Sequence, residues 1–301
     1  MIVDRRRATA AAVAVALALS ACSGNDEADR QVSAPLSIVT SSTAETSTSG
    51  SSSDDARESD TEIPDVIPDP LVGELRIAVI ATHPHDPNGF TQGLEVHDGQ
   101  LLESTGLYGE SDRRLVEIGS GEIQRIEPID ADLFGEGLTV VDDEILQLTW
   151  KAGVYIRSDL ETLAETGRGS YEGQGWGLCF DGTRLVMSDG TPTLTFRDPG
   201  SFDRLETIEV TLNGEPLANL NELECVNGQV LANVLRSDWI VVVDPTTGAV
   251  AATLNAGSLR PDDAPAEDSR FALNGIAHDP TSGRFYLTGK QWSVLYEVEL
   301  S

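Results

Sequence analysis

In the stretch Phe134-Gly135-Glu136-Gly137-Leu138-Thr139, one glutamate stands between two glycines, directly ahead of an apolar run. A lone carboxylate so placed can take a proton from one group and return it to another. Glycine on both sides removes Cβ bulk, and the expected reason is that a ligand approaches Glu136 closely. The same pattern, a small turn followed by a short apolar run, recurs four more times. It puts Gln92, Trp176, Asn221 and Asn274 where the first copy has Glu136. One acid, three amides and an indole are chemically rich for a set that a structural ring would fill with small or apolar residues. Amide donors suit a developing oxyanion. So does Lys290 in "LTGKQW", one of two lysines in a chain with eighteen arginines. Where this sequence keeps Lys, a compact ammonium rather than a planar fork is the expected requirement.

Those residues need a scaffold that brings distant positions together, and the repeat supplies it. "FTQGLEVHDGQLLEST", "FGEGLTVVDDEILQLTW", "GWGLCFDGTRLVMSDG", "LNELECVNGQVLANVL" and "LNGIAHDPTSGRFYLTGK" each read strand, tight turn, strand. Their anchors, Gly93, Gly137, Gly177, Glu222 and Gly275, are spaced by about 45 residues, a period typical of propeller blades. A third strand and a turn of the "DPGSF" or "DPTTG" kind follow, with Asp-Pro and Thr-Gly supplying the turn chemistry. Four strands per repeat, five times over, predict an all-β, five-bladed β-propeller. The last repeat ends at Ser301 before its fourth strand, so the unassigned strand at 75–81 is expected to complete it and close the ring. The residues before the anchors then face one mouth. The second-strand ends, Thr105, Trp150, Asp189, Val234 and Lys290, lie at that rim or at the opposite one.

Ahead of the repeats, "MIVDRRR", an apolar run and "LSAC" read as a lipoprotein signal peptide over 1–21, with Cys22 lipidated. A Ser/Thr/Asp/Glu-rich tether continues to residue 72, and the domain occupies 73–301. The expected location is the cell envelope, on the outer face of the cytoplasmic membrane, with the membrane touched only through the anchor. A formal net charge of −30 argues against nucleic-acid partners. Nothing in the sequence suggests more than a monomer. Cys179 and Cys225 sit in apolar strand contexts and are expected as buried free thiols. "HPH" at 83–85 is the only hint of metal-ligand spacing, and phosphate-loop, dinucleotide and Gly-x-Ser-x-Gly motifs are absent.

"FTQGL", "LLESTGLYGES", "FGEGLT", "LQLTW", "GWGL", "SDGTPTL", "LNELE", "LANV", "DPTTG", "LNGIA" and "LTGK" together resemble the plant-type glutaminyl-peptide cyclotransferases of plants and bacteria. The resemblance spans about 75–300 in order and spacing. It implies a five-bladed propeller that converts the N-terminal glutamine of peptides and proteins to pyroglutamate and releases ammonia, without a catalytic cofactor. A structural divalent cation in the channel stays open. By the same resemblance Glu136 is the acid/base, Lys290 and Asn221 assist it, and Phe90, Gln92, Phe134, Trp150 and Trp176 bind substrate; Asn274 is expected to join them by its equivalent place before an anchor. Leu235 departs from the aromatic residue common at that place, which bears on substrate preference. Two other functions fit a polar propeller mouth: a metal-dependent lactonase using Glu136, Asn221 and Asn274 as ligands, and a binding platform without turnover.

Overall fold

The computed structural model describes residues 73–265 and 272–301. Cys22, the signal segment and the tether lie outside the described residues. Two strands lead: β1 (Gly73–Leu75) and β2 (Ile77–Pro84). Blade I is β3 (Thr91–His97), β4 (Gln100–Thr105), β5 (Asp112–Val116) and β6 (Ile123–Pro128). Blade II is β7 (Gly135–Val141), β8 (Glu144–Thr149), β9 (Val154–Asp159) and β10 (Glu165–Ser170). Blade III is β11 (Leu178–Phe180), β12 (Leu185–Met187), β13 (Thr193–Arg197) and β14 (Arg204–Glu209). A small hairpin, β15 (Thr211–Leu212) and β16 (Glu215–Pro216), precedes blade IV. Blade IV is β17 (Leu220–Val226), β18 (Gln229–Val234), β19 (Trp239–Val243) and β20 (Val250–Asn255). Blade V is β21 (Leu273–Asp279), β22 (Arg284–Gly289) and β23 (Val294–Leu300). The five blades form the propeller ring, with β3, β7, β11, β17 and β21 innermost.

The leading segment is divided between two blades. β2 lies antiparallel to β23 as the outer strand of blade V, with Ile77 opposite Leu300 and Pro84 opposite Val294. β1 runs parallel to β20 as a fifth strand of blade IV. The strand expected at 75–81 therefore breaks at Arg76, and its longer part extends to Pro84.

Apolar side chains gather in five clusters, one at each junction between neighbouring blades. Leu102, Leu138, Val140 and Ile145 fill the junction of blades I and II. Leu146, Leu148, Leu178 and Met187 fill that of II and III. Alternating strands bury one face against each neighbour, so ring closure is what completes the core. Cys179 on β11 and Cys225 on β17 stand in one such junction, 5.5 Å apart at Cα, and form a disulfide. This corrects the expectation of free thiols. The two positions lie 46 residues apart, about one repeat, and so fall at matching heights on adjacent inner strands.

The anchor glycines answer the question Glu136 raised, and not as expected. A Cβ on Gly137 would sit 2.6 Å from Leu178 N and 2.7 Å from Trp176 O, both in blade III. One on Gly135 would sit 2.5 Å from Thr105 O of blade I. One on Gly93 would meet Leu138 N at 2.5 Å, and one on Gly177 would meet Asn221 O at 2.1 Å. Neighbouring backbones, rather than a ligand, require the absent side chains.

Blades V and I are joined by a buried polar chain. His85 donates from Nδ1 to Trp292 O at 2.7 Å and lies 3.2 Å from Glu103 Oε1 through Nε2. Thr91 Oγ1 donates to the same Glu103 oxygen at 2.7 Å. Burial by itself lowers the His85 pKa, but the Glu103 carboxylate and the Trp292 carbonyl outweigh it and raise the imidazole above its ordinary value. Burial pushes Glu103 up, and His85 with Arg114 brings it below the usual carboxylate range.

Gly137→Ala should destabilise by about 1–3 kcal/mol through overpacking, whereas Gly167→Ala, with nothing within 4 Å of its Cβ position, should stay within about 0.5 kcal/mol of wild type. Thermal melts of the two variants compare them directly, and equal midpoints would contradict the close-approach argument. For His85, a folded pKa above the unfolded one means stabilisation that is present below about 6.5 and lost as pH rises through the folded value. The deficit of His85→Gln relative to wild type should therefore be largest at mildly acidic pH and shrink as pH rises. A deficit that grows with pH would contradict it.

Candidate active site

The site residues stand on irregularities that recur from blade to blade. In blade I the pairing of β3 with β4 shifts between Thr91 and Gly93, around Gln92. In blade II it shifts between Gly135 and Leu138, around Glu136. In blade IV the shift lies between Leu220 and Leu223, around Asn221, and in blade V between Leu273 and Ile276, around Asn274. Bulges bend a strand and re-aim its side chains. Here they set four polar residues at the start of inner strands, about a single mouth. Blade III begins β11 later, and Trp176 N reaches Ser188 O at 3.0 Å instead.

Antiparallel pairing decides which rim the second strands reach. Thr91 is opposite Thr105, Gly135 opposite Thr149 and Leu273 opposite Gly289. The ends of β4, β8 and β22 thus stand at the same rim as the bulges, which brings Trp150 and Lys290 to the mouth. Phe90 and Phe134 meet edge to face with centroids 6.1 Å apart, and Trp150 lies 5.5 Å from Phe134. Lys290 Nζ is 5.0 Å from the Phe90 centroid and Lys151 Nζ is 3.8 Å from that of Trp150. Both lysines of the chain thus sit over aromatic rings of this mouth, a cation–π arrangement.

Most of these side chains are withdrawn from bulk water. Glu136 is 4% exposed and Lys290 3%. Asn274 Nδ2 donates to Thr91 O at 2.9 Å and to Gln92 Oε1 at 3.2 Å, so it fixes Gln92 from a fully buried position. The carbonyls of Glu136 and Asn221 accept hydrogen bonds from Ser104 Oγ and Ser188 Oγ of the preceding blades. Other second-strand ends serve the fold: Thr105 Oγ1 accepts from Asp112 N at 3.1 Å, and Asp189 Oδ1 accepts from Thr191 N at 3.0 Å. Leu235 is buried, its N–H donating to Asn219 O at 2.9 Å.

Three further carboxylates line the channel. Glu222, at the anchor where other blades have glycine, accepts from Ile276 N at 2.8 Å and Leu94 N at 3.4 Å. Glu95 Oε2 accepts from Val140 N at 3.0 Å. Loss of solvent pushes Glu95 up to about 7, and Glu222 and Glu224 well above the usual carboxylate range. His83 and His85 turn to different partners, Glu297 and Glu103. Among the described residues no group of three or more His, Cys, Asp or Glu is arranged to hold a metal ion.

Two residues of the mouth carried no clear signal in the sequence. Tyr108 is half exposed, with its ring 5.4 Å from that of Phe134. Gln174 Oε1 accepts from both indoles, Trp150 Nε1 at 2.7 Å and Trp176 Nε1 at 3.2 Å. Each lies in a glycine-flanked loop outside the repeated strand pairs, where register between blades gives no guide.

Comparison with known proteins agrees with this architecture. The glutamine cyclotransferase family profile matches residues 51–300. A glutaminyl-peptide cyclotransferase of Arabidopsis thaliana is 38% identical over 231 residues, which is 74% of this chain and 71% of the relative. The crystal structure of Myxococcus xanthus glutaminyl cyclase superposes with a TM-score of 0.70 at 34% identity, covering 76% of this chain and 98% of that one. With its blades, its repeat and its matched length, the chain belongs to the glutamine cyclotransferase family.

Proposed function

We propose that the protein is a glutaminyl-peptide cyclotransferase in which Glu136 is the single acid/base. The observation that carries this reading is a buried carboxylate on a bulge at a mouth walled by Phe90, Phe134, Trp150 and Trp176, with Lys290 at the same rim. The neutral α-amine of an N-terminal glutamine attacks its own side-chain amide carbon. Glu136 takes a proton from that amine as the carbon–nitrogen bond forms. The amide oxygen becomes a tetrahedral oxyanion, towards which the Lys290 ammonium and the Asn221 side chain can donate. Glu136 then returns the proton to the departing amino group, the old carbon–nitrogen bond breaks, and ammonia leaves with pyroglutamate behind.

Both reacting groups belong to one residue, so the enzyme's main task is to hold a near-attack geometry. Aromatic walls suit that task, because they pack the glutaminyl methylenes and restrict their rotamers. They also keep water from competing for the amide carbon. The scheme routes no step through a metal ion.

Glu136→Gln should fold normally and lose about 10²-fold in kcat, since the amide keeps the shape but cannot carry the proton. Lys290→Arg and Lys290→Ala should both lose about 10²-fold or more, because a guanidinium does not reproduce a compact donor at a buried site. Ammonia release from a Gln-initiated dipeptide measures all three. If Glu136→Gln retains more than about a tenth of wild-type kcat, the acid/base assignment fails. If Lys290→Arg is fully active, the oxyanion role passes to Asn221 or to backbone amides.

A further inference from the structure

The segment Tyr171–Trp176, "YEGQGW", links blade II to blade III and is fastened along the end of blade II. Tyr171 N donates to Gly153 O at 2.7 Å, and its hydroxyl donates to Thr149 O. Gly175 N donates to Trp150 O at 3.0 Å. A Cβ on Gly175 would fall 2.3 Å from the Tyr171 hydroxyl, so the strap needs glycine to lie this close. Its path carries Gln174 past the edge of Trp150 and then turns into Trp176.

Gln174 is exposed, yet its oxygen is doubly engaged by the indole N–H groups of Trp150 and Trp176. Indole can only donate, and an amide oxygen has two lone pairs, so the pairing is complete and has one sense. The amide nitrogen in that place would face two donors. Each indole has other contacts: Trp150 packs on Phe134 and Lys151, and Trp176 covers Gly190, where a Cβ would lie 2.6 Å from the ring. Those contacts fix each ring separately. Gln174 is the side chain that ties the two rings to each other across the blade junction.

We propose that Gln174 is a positioning residue: by holding Trp150 and Trp176 as one wall, it sets the conformation in which the bound glutaminyl side chain cyclises. The proposal rests on the two indoles walling the substrate pocket. An acceptor is what the site requires. Glutamate should therefore serve in place of glutamine, and an isosteric apolar residue should not. Loosening the wall leaves its apolar area in place, so binding is kept while alignment is lost, and small misalignments weigh heavily on an intramolecular attack.

The test compares Gln174→Leu, Gln174→Glu and wild type on a Gln-initiated dipeptide, with near-ultraviolet circular dichroism of the free proteins. Expected for Gln174→Leu is a fall in kcat of about tenfold, KM within about threefold, an unshifted thermal midpoint and weakened indole bands. Gln174→Glu should keep kcat within about twofold and retain the bands. The proposal is overturned if Gln174→Leu keeps more than about a third of wild-type kcat, if its indole bands are unchanged, or if Gln174→Glu is as impaired as Gln174→Leu. Lack of turnover by the wild type itself would instead remove the cyclase reading, and the indole bands would still show whether Gln174 orders the wall.

Discussion

A girdle of hydrogen bonds at the level of the bulges holds neighbouring blades together, and the rest of the structure depends on it. Ser104 Oγ of blade I donates to Glu136 O of blade II, and Gly137 N donates to Trp176 O of blade III at 2.7 Å. Ser188 Oγ donates to Asn221 O at 2.6 Å, from blade III to IV. Gly275 N of blade V donates to Asn233 Oδ1 of blade IV at 3.0 Å, and Asn274 Nδ2 closes the circle on Thr91 O of blade I at 2.9 Å. These bonds form only if the inner strands come close. The missing side chains at Gly93, Gly137 and Gly177 allow that approach. The backbones of Glu136, Trp176 and Asn221, and of the direct neighbours of Gln92 and Asn274, are members of this ring.

The girdle explains how five repeats with one architecture carry different chemistry. Interblade packing and backbone bonding constrain the anchors and the small polar residues at strand ends. In blades I, II and IV the residue on the bulge has its carbonyl or its neighbour committed to the ring while its side chain can vary; in blade V the Asn274 side chain is itself a member. That freedom accommodates Gln92, Glu136, Asn221 and Asn274 at otherwise equivalent places. Glu222 shows the limit of the pattern. It replaces an anchor glycine and sends its carboxyl into the channel, where N–H groups of blades I and V meet it.

What the sequence disclosed was what repetition amplifies. Strand pairs, Asp-Gly and Asp-Pro turns and the period identify five blades, because the same local chemistry appears in register each time. The positions before the anchors led to the mouth for the same reason. The flanking glycines of Glu136 are ambiguous in the sequence because close approach by a ligand and by a neighbouring backbone leave the same mark. The Cys179–Cys225 disulfide was obscured by offset. Cys179 follows its anchor by two residues and Cys225 by three, the extra one being accommodated by the bulge of β17. Gln174 and Tyr108 lie in interblade or strand-connecting loops, whose course depends on tertiary packing rather than on a repeat.

In the proposed reaction a walled mouth makes the substrate's own amine, rather than water, the nucleophile. Turnover of a Gln-initiated dipeptide in water enriched in heavy oxygen tests this most directly, with the product read by mass spectrometry and ammonia counted alongside. The expected product is pyroglutamyl and free of solvent oxygen, with one ammonia released for each ring closed and no change on adding a chelator. A glutamyl product carrying solvent oxygen, or turnover abolished by the chelator, would contradict it.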